Sequence, residues 1–175
     1  MSITIDYFFN SPKPIEELAK DINKCLGCSL SPYQGNTSNY FCWFLGMEFS
    51  LYPNDGDFED DGMKVYSQYN YDIDFRTTMG ISSNMRSVQL AAIMMVAYTL
   101  HQYLGLIGML VFDMEILLAR YEERGFPDYG TRLYDIVSDT PFIGLASHLN
   151  NLKPRLSKYW QTLYFDDYPA LRENL

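Results

Sequence analysis

The feature that most constrains this chain is an uncharged stretch, Ser87 to Phe112, which contains no Asp, Glu, Lys or Arg residue. Its first part is apolar nearly all round, which predicts a buried helix from Ser82 or Ser83 to about Leu104. The stretch is long enough to cross a bilayer, which needs about 20 residues. Polar residues interrupt it, however, and glycines divide it in two. We therefore expect a central buried helix followed by a buried strand over residues 109–118, and no membrane span.

Patterns of period two predict strands elsewhere in the chain, at residues 2–9, 40–52 and 65–77. In the second segment, one face would hold Phe41, Trp43, Leu45, Met47, Phe49 and Leu51, and the other Cys42, Phe44, Glu48 and Ser50. In the third, Tyr69, Tyr71, Ile73 and Phe75 would point inward, and Asn70, Asp72, Asp74 and Arg76 outward into solvent.

An amphipathic helix is predicted after the first strand, starting at Ser11-Pro12 and stopping at Gly27. The sequence predicts a loop over residues 31–39 and a turn cluster over 125–130. It predicts a late helix over 140–152, followed by a docked helix or tail over 155–175. The order β-α-β-β-β-α-β-α favours one α+β domain over residues 1–175, with helices packed on a mainly antiparallel sheet.

The net charge of −9, at a sequence pI near 4.5, argues against nucleic acid and anionic membranes as ligands. Eight acidic residues and a single lysine, Lys64, lie between Glu48 and Asp74. A chain with this charge distribution favours a basic protein partner and steers its association. Solubility alone is the simpler explanation for the charge.

The acidic loop DGDFEDDG, residues 55–62, partly matches a calcium-binding EF-hand loop. Asp57, Glu59, Asp61 and Gly62 fit positions 1, 3, 5 and 6, but position 12 falls on Gln68, where a bidentate glutamate is required. Strands also flank the loop where an EF-hand has helices. We therefore expect no metal site, and interpret the loop as a solvated turn or as an attractant for a basic partner.

The three cysteines cannot all pair within the chain, which favours a reducing compartment. No signal peptide is evident in MSITIDYFFN, so the expected location is the cytoplasm. Cys25 and Cys28 form a C-x-x-C pattern at the C-terminal end of the first helix, whereas redox chemistry favours the N-terminal end. Packing is the expected role of both, and we expect no cofactor.

Catalysis has little support in the sequence, since no recognised catalytic motif is present. Two carboxylate pairs at strand spacing, Asp72/Asp74 and Asp113/Glu115, would each share a face and could serve general acid–base chemistry. His101 and His148 are the candidate bases. A solvated sheet face and two packed histidines are the simpler explanations. An enzyme that uses a carboxylate pair or His101, or a domain that binds a small molecule or metal, remains the alternative.

The expected contact surface combines the acidic loop with the carboxylates and tyrosines that follow it. Carboxylates pair with lysine and arginine, and tyrosine is a stiff amphipathic anchor. The ion-pair partners would be Asp55, Asp57, Glu59, Asp60 and Asp61, flanked by Asp72 and Asp74, and the anchors Tyr66 and Tyr69.

Over roughly residues 1–150 the chain resembles the small, acidic α+β immunity proteins of bacterial toxin–immunity systems. The resemblance lies in the loop DGDFEDDG, the alternating segment YNYDIDFR and the helix VQLAAIMMVAYTLHQYLG with the hydrophobic strand after it. It implies a non-catalytic bacterial protein that binds a cognate basic toxin domain and blocks it. The resemblance includes no signature motif, so no residue role is carried over from it.

Overall fold

The computed structural model describes residues 4–56, 61–76, 83–114, 116–122 and 128–129. The predicted helix over 140–152, His148 and the C-terminal segment 155–175 lie outside these residues. Within them, no helix is both long enough and apolar enough to cross a membrane.

The described residues form one sheet of eight strands in the order β2-β3-β4-β5-β1-β6-β7-β8. Each neighbouring pair runs antiparallel, which confirms the predicted α+β class with an antiparallel sheet. The strands are β1 Thr4–Asn10, β2 Ser31–Tyr33, β3 Asn36–Phe44, β4 Met47–Pro53, β5 Tyr71–Arg76, β6 Ile107–Phe112, β7 Ile116–Tyr121 and β8 Asp128–Tyr129. The first strand in sequence thus lies between β5 and β6, deep within the sheet.

Two α-helices pack together on one face of the sheet, which we call the helix face. Helix α1, Ile15–Leu26, follows Pro14 and ends where Gly27 adopts a left-handed conformation at φ 71°. Helix α2, Ser83–Leu104, matches the predicted central helix. Their buried side chains meet Ile5, Tyr7 and Phe9 of β1 and the inward residues of β4 and β5 in one continuous core.

Turns divide two segments that the sequence predicts as continuous strands. Leu45 and Gly46 have φ values of 52° and 71° and join β3 to β4, so the predicted strand over 40–52 is a hairpin. Asp113 and Met114, at φ 46° and 61°, likewise divide residues 109–118 into β6 and β7. At Leu45-Gly46, positive φ at both residues of a two-residue turn is the type I′ geometry, whose twist matches that of the flanking strands.

The β3–β4 turn also changes which side chains share a face. Phe44 lies opposite Met47, so Cys42 and Phe44 point into the core together with Met47, Phe49 and Leu51. Phe41 and Trp43 therefore lie on the other face, beside Glu48 and Ser50. The predicted pairing of Phe41 and Trp43 with the Met47 side of the strand is wrong, because continuous alternation does not pass through a two-residue turn.

The sheet face opposite the helices, which we call the outer face, is partly covered by a 3-10 helix, Asp61–Gln68. The predicted strand over 65–77 is correct only for its second half, β5. Tyr66 of the 3-10 helix stacks on Phe8 with ring centroids 4.5 Å apart, and Met109 and Val111 of β6 complete a small second core. The predicted loop over 31–39 is a hairpin as well, with β2 and β3 joined by Gln34-Gly35.

Candidate functional site

The acidic loop lies mostly outside the described residues, which include Asp55 but not Asp57, Glu59 or Asp60. Asp55 is exposed, and Asp61 is the first residue of the 3-10 helix. Asn54 holds the two sides of the loop together, because its side-chain amide donates to the carbonyl oxygens of Tyr66 at 2.7 Å and Tyr69 at 3.0 Å.

The two tyrosines predicted as anchors have different environments. Tyr66 is buried, and its hydroxyl donates to the carbonyl oxygen of Met114 at 2.7 Å, so it fixes the 3-10 helix to the β6–β7 turn. Tyr69 is half-buried and packs beside the second core. Burial of its ring makes Tyr66 a packing residue in this structure, and its contact role stays a prediction.

The aspartates of β5 lie on the sheet face that the alternation predicts, which is the face away from Ile73 and Phe75. They are nevertheless buried from solvent. Asp72 and Asp74 are only 4% and 9% exposed, and Asp6 of β1 is also 4% exposed. Asp6 lies directly opposite Asp74 in the β1–β5 ladder, and Asp72 is one outer-face position further along β5. We call these three residues the aspartate cluster.

Each member of the aspartate cluster has an oxygen with no hydrogen-bond partner in the described part of the chain. The atoms are Asp6 Oδ2, Asp72 Oδ1 and Asp74 Oδ1. A buried ionised carboxylate without a partner is costly, and two like charges directly opposite each other in a sheet repel. Three charged carboxylates at this spacing would therefore destabilise the fold, so the cluster favours bound protons.

The pKa values of the cluster follow that expectation. Burial, with a smaller contribution from the Asp74 charge, raises the pKa of Asp6 to about 7. Burial is also the main cause that raises the pKa of Asp72, with the Asp6 charge adding to it. Burial raises the pKa of Asp74 too, although the Arg76 guanidinium opposes that rise. The cluster thus retains protons at pH values where an exposed aspartate is fully ionised.

A cleft of about 340 Å³ opens on the outer face beside Asp74. Its lining combines aromatic rings with polar and charged groups: Tyr33, Asn39, Tyr40, Phe41, Glu48, Ser50, Tyr52, Asp74 and Arg76. The Arg76 guanidinium lies 3.3 Å from an Asp74 oxygen and 3.8 Å from a Glu48 oxygen. Arg76 and Glu48 are both partly exposed, so this ion-pair group is accessible to a ligand that enters the cleft.

Exposed aromatic side chains continue from the cleft across β2 and β3. Tyr33 is 48% exposed and Trp43 57% exposed, and Phe41 lies between them with ring centroids 5.8 Å and 6.0 Å away, both edge to face. We call Tyr33, Phe41 and Trp43 the aromatic strip. The sequence pattern does not predict the aromatic strip, because it places Tyr33 in a loop and Trp43 on the same face as Met47. The turn signals that could locate the strip are the glycine-containing dipeptides Gln34-Gly35 and Leu45-Gly46.

The residues predicted for catalysis or metal binding lie in different parts of the fold. His101 is buried in the helix-face core, with Nδ1 2.9 Å from the carbonyl oxygen of Leu106, and does not line the cleft. Within the described ranges, no group of three His, Cys, Asp or Glu residues is arranged to hold a metal ion. Of the predicted carboxylate pair Asp72/Asp74, Asp74 lines the cleft. Glu115 of the other predicted pair lies outside the described residues.

Comparison with known proteins gives no match: no protein-family model, no curated protein sequence and no solved structure is similar to this chain.

Proposed function

We propose that this is a non-catalytic protein that binds a basic protein partner on its outer face. The observation that carries the proposal is the aromatic strip, with Trp43 57% exposed, next to a cleft lined by Glu48 and Asp74. The aromatic strip would supply the apolar anchors, and the carboxylates would pair with lysine or arginine side chains at its margin.

The physical support is that Trp and Tyr dominate the binding energy of protein interfaces because they bury a large, stiff surface. In the unbound protein, solvent-exposed rings of this kind contribute little to the stability of the fold. Trp43 lies opposite Glu48 in the β3–β4 ladder, so an anchor and a carboxylate are immediate neighbours on rigid strands. A net charge of −9 adds long-range attraction for a cationic partner.

Within this class we propose an immunity protein, which neutralises a bacterial toxin by covering its active site in the cytoplasm. Nucleases and other toxins that act on polyanions need a basic substrate channel, and an acidic surface can occupy it. The negative charges of the acidic loop would add to the attraction. This proposal rests on the character of the surface and on the resemblance described above.

The test compares three forms of the full-length protein as bait in the source cell extract, at low and high salt. The variant Tyr33→Ala/Trp43→Ala removes the exposed ends of the aromatic strip. The control, Tyr103→Ala, removes an aromatic side chain that is 66% exposed at the end of α2, away from the outer face. A basic protein that the wild type and the control retain, and the double variant loses, supports the proposal.

A purified partner then allows the function itself to be measured. We expect a 1:1 complex in which the wild type inhibits the partner's activity and the double variant inhibits at least about 100-fold more weakly, as two interface anchors of this kind contribute. Equal inhibition by the wild type and the double variant would rule out the aromatic strip as the binding surface.

A second candidate, a small-molecule site or a catalytic site, is favoured by one observation. The cleft volume of about 340 Å³ falls within the range of ligand pockets, roughly 300–1,000 Å³, and a carboxylate with a raised pKa adjoins it. A thermal-shift screen against metabolites and calcium tests this candidate, with Asp74→Asn as the control. A ligand that raises the melting temperature of the wild type, but not of the variant, would support it.

A further inference from the structure

The C-x-x-C spacing suggests that Cys25 and Cys28 form a pair, but the structure places Cys28 with Cys42 instead. Cys25 is in the last turns of α1, and the left-handed Gly27 then turns the chain away from the helix axis. Cys28 therefore lies beyond the helix and is buried in the core, together with Cys42 of β3. Cys25 is only partly buried.

The Cys28 and Cys42 side chains are neighbours in the helix-face core, and the two thiols interact, since each is the largest cause of the other's pKa shift. The ladder between β2 and β3 explains their proximity, because Ser31 pairs with Phe41 and so brings residues 28–30 alongside Cys42. Thus the pairing of two strands, and not the C-x-x-C spacing, sets which thiols meet.

Asn23 of α1 holds the Cys28 segment in this position. Its side-chain oxygen accepts from the backbone N–H of Leu30 at 2.7 Å and from the Cys28 thiol at 3.2 Å, and its amide donates to the Leu30 carbonyl oxygen at 2.9 Å. Three contacts from one side chain leave the segment little freedom, so the two sulfur atoms stay close together in the folded protein.

We propose that Cys28 and Cys42 are a disulfide-forming pair, which a low-molecular-weight disulfide such as oxidised glutathione converts to a Cys28–Cys42 bond while Cys25 remains a free thiol. The inference is independent of the proposed function. An intramolecular disulfide requires two cysteines whose thiols lie close together in the folded protein. Cys25 is only partly buried on α1, and burial, with no other thiol contributing, raises its pKa.

The reaction is a thiol–disulfide exchange in two steps. The Cys42 sulfur attacks one sulfur of oxidised glutathione, which releases one reduced glutathione and leaves a mixed disulfide. The Cys28 sulfur then attacks the protein-bound sulfur and releases the second glutathione. Two electrons pass from the two protein thiols to the oxidant, and the two thiol protons leave with the two glutathione molecules.

Cys42 is the better first nucleophile, because the neighbouring Cys28 thiol lowers the pKa of Cys42, whereas the Cys42 thiol and burial raise the pKa of Cys28. Burial of both sulfurs limits access, so the exchange should take minutes to hours, the range of uncatalysed disulfide rearrangement. The bond would close a loop that contains all of β2, including Tyr33, and would tie this edge of the sheet to the end of α1.

The test incubates the full-length protein with oxidised glutathione, blocks the remaining thiols, reduces the protein and labels the newly exposed thiols with a second reagent. Fragmentation mass spectrometry must locate each label, because no Lys or Arg lies between Cys25 and Met63 and trypsin leaves all three cysteines on one peptide. We expect the second label on Cys28 and Cys42 and the first label on Cys25. The melting temperature should rise by about 8 °C on oxidation.

The matched control is Cys25→Ser, which should oxidise as the wild type does, while Cys28→Ser and Cys42→Ser should form no intramolecular bond. A Cys25–Cys28 bond as the main product, or second label on none of the cysteines after a day while the urea-unfolded chain oxidises, would overturn the proposal. The wild-type measurement decides the matter even if a serine variant fails to fold.

Discussion

Asp6 and Asp74 lie directly opposite each other in the β1–β5 ladder, both buried, and each has a carboxylate oxygen without a hydrogen-bond partner in the described residues. Two ionised carboxylates in this position would repel at short range in a poorly solvated environment. A proton on one of them removes the repulsion and lets that carboxyl group donate to the other. The folded protein therefore binds protons more tightly here than the unfolded chain does.

The first prediction is that stability falls as the pH rises from about 4 to about 7. Burial raises the pKa of Asp6 to about 7 from the value near 4 of an exposed aspartate, so between those pH values the folded state holds the extra proton. The Asp6 contribution is fully present below pH 4 and is lost as the pH approaches 7, by at most about 1.4 kcal/mol per pH unit. Urea unfolding at pH 5, 6, 7 and 8 measures it, and a free energy of unfolding that rises over this range would contradict it.

A second prediction concerns the substitution Asp6→Asn. The amide cannot ionise and can donate to the unpartnered oxygen of Asp74, so the variant should be more stable than the wild type at pH 8, by about 1 kcal/mol or more, and similar to it below about pH 4. Glu48→Gln is the matched control on the same face, because Glu48 is partly exposed and its pair with Arg76, at 3.8 Å, contributes little. If both variants show the same pH profile, burial of Asp6 is not the cause of the pH dependence.

A third prediction compares the same substitution at two glycines. Gly108 of β6 lies against the backbone of Phe8, and a Cβ atom there would overlap the Phe8 carbonyl oxygen. Gly108→Ala should therefore cost more than about 3 kcal/mol, since the backbone in the middle of the sheet cannot shift without breaking the ladder. At Gly35 a Cβ atom meets nothing, so Gly35→Ala should cost only the strain of φ 79°, about 1–2 kcal/mol. Urea midpoints give both values, and equal losses would contradict this account.

The fold class, both described helices and the core positions of β1 and β5 could be predicted from the sequence, because each depends on local periodicity. The outer face could not. A strict alternation places Trp43 on the same face as Met47 and Leu51, and only the two-residue turn at Leu45-Gly46 reverses that placement. The alternation likewise places Asp74 on the correct face but gives no sign of its burial, which depends on β1 lying next to β5, a neighbour about 70 positions away in the chain.

The last prediction separates two acidic groups that could attract a basic partner. The triple variant Asp57→Lys/Glu59→Lys/Asp61→Lys reverses the charge of the acidic loop, and Glu48→Lys reverses a single charge at the cleft beside Trp43. If the loop steers the encounter, the triple variant should slow association about tenfold at low salt and flatten its salt dependence, with little change in dissociation. Glu48→Lys should mainly speed dissociation, because it places a cation where the proposed partner's own cation would lie. Stopped-flow association and dissociation rates with the purified partner decide between the two acidic groups. An unchanged association rate in the triple variant would show that the loop has no part in binding. The aromatic strip and the cleft would then remain as the proposed surface.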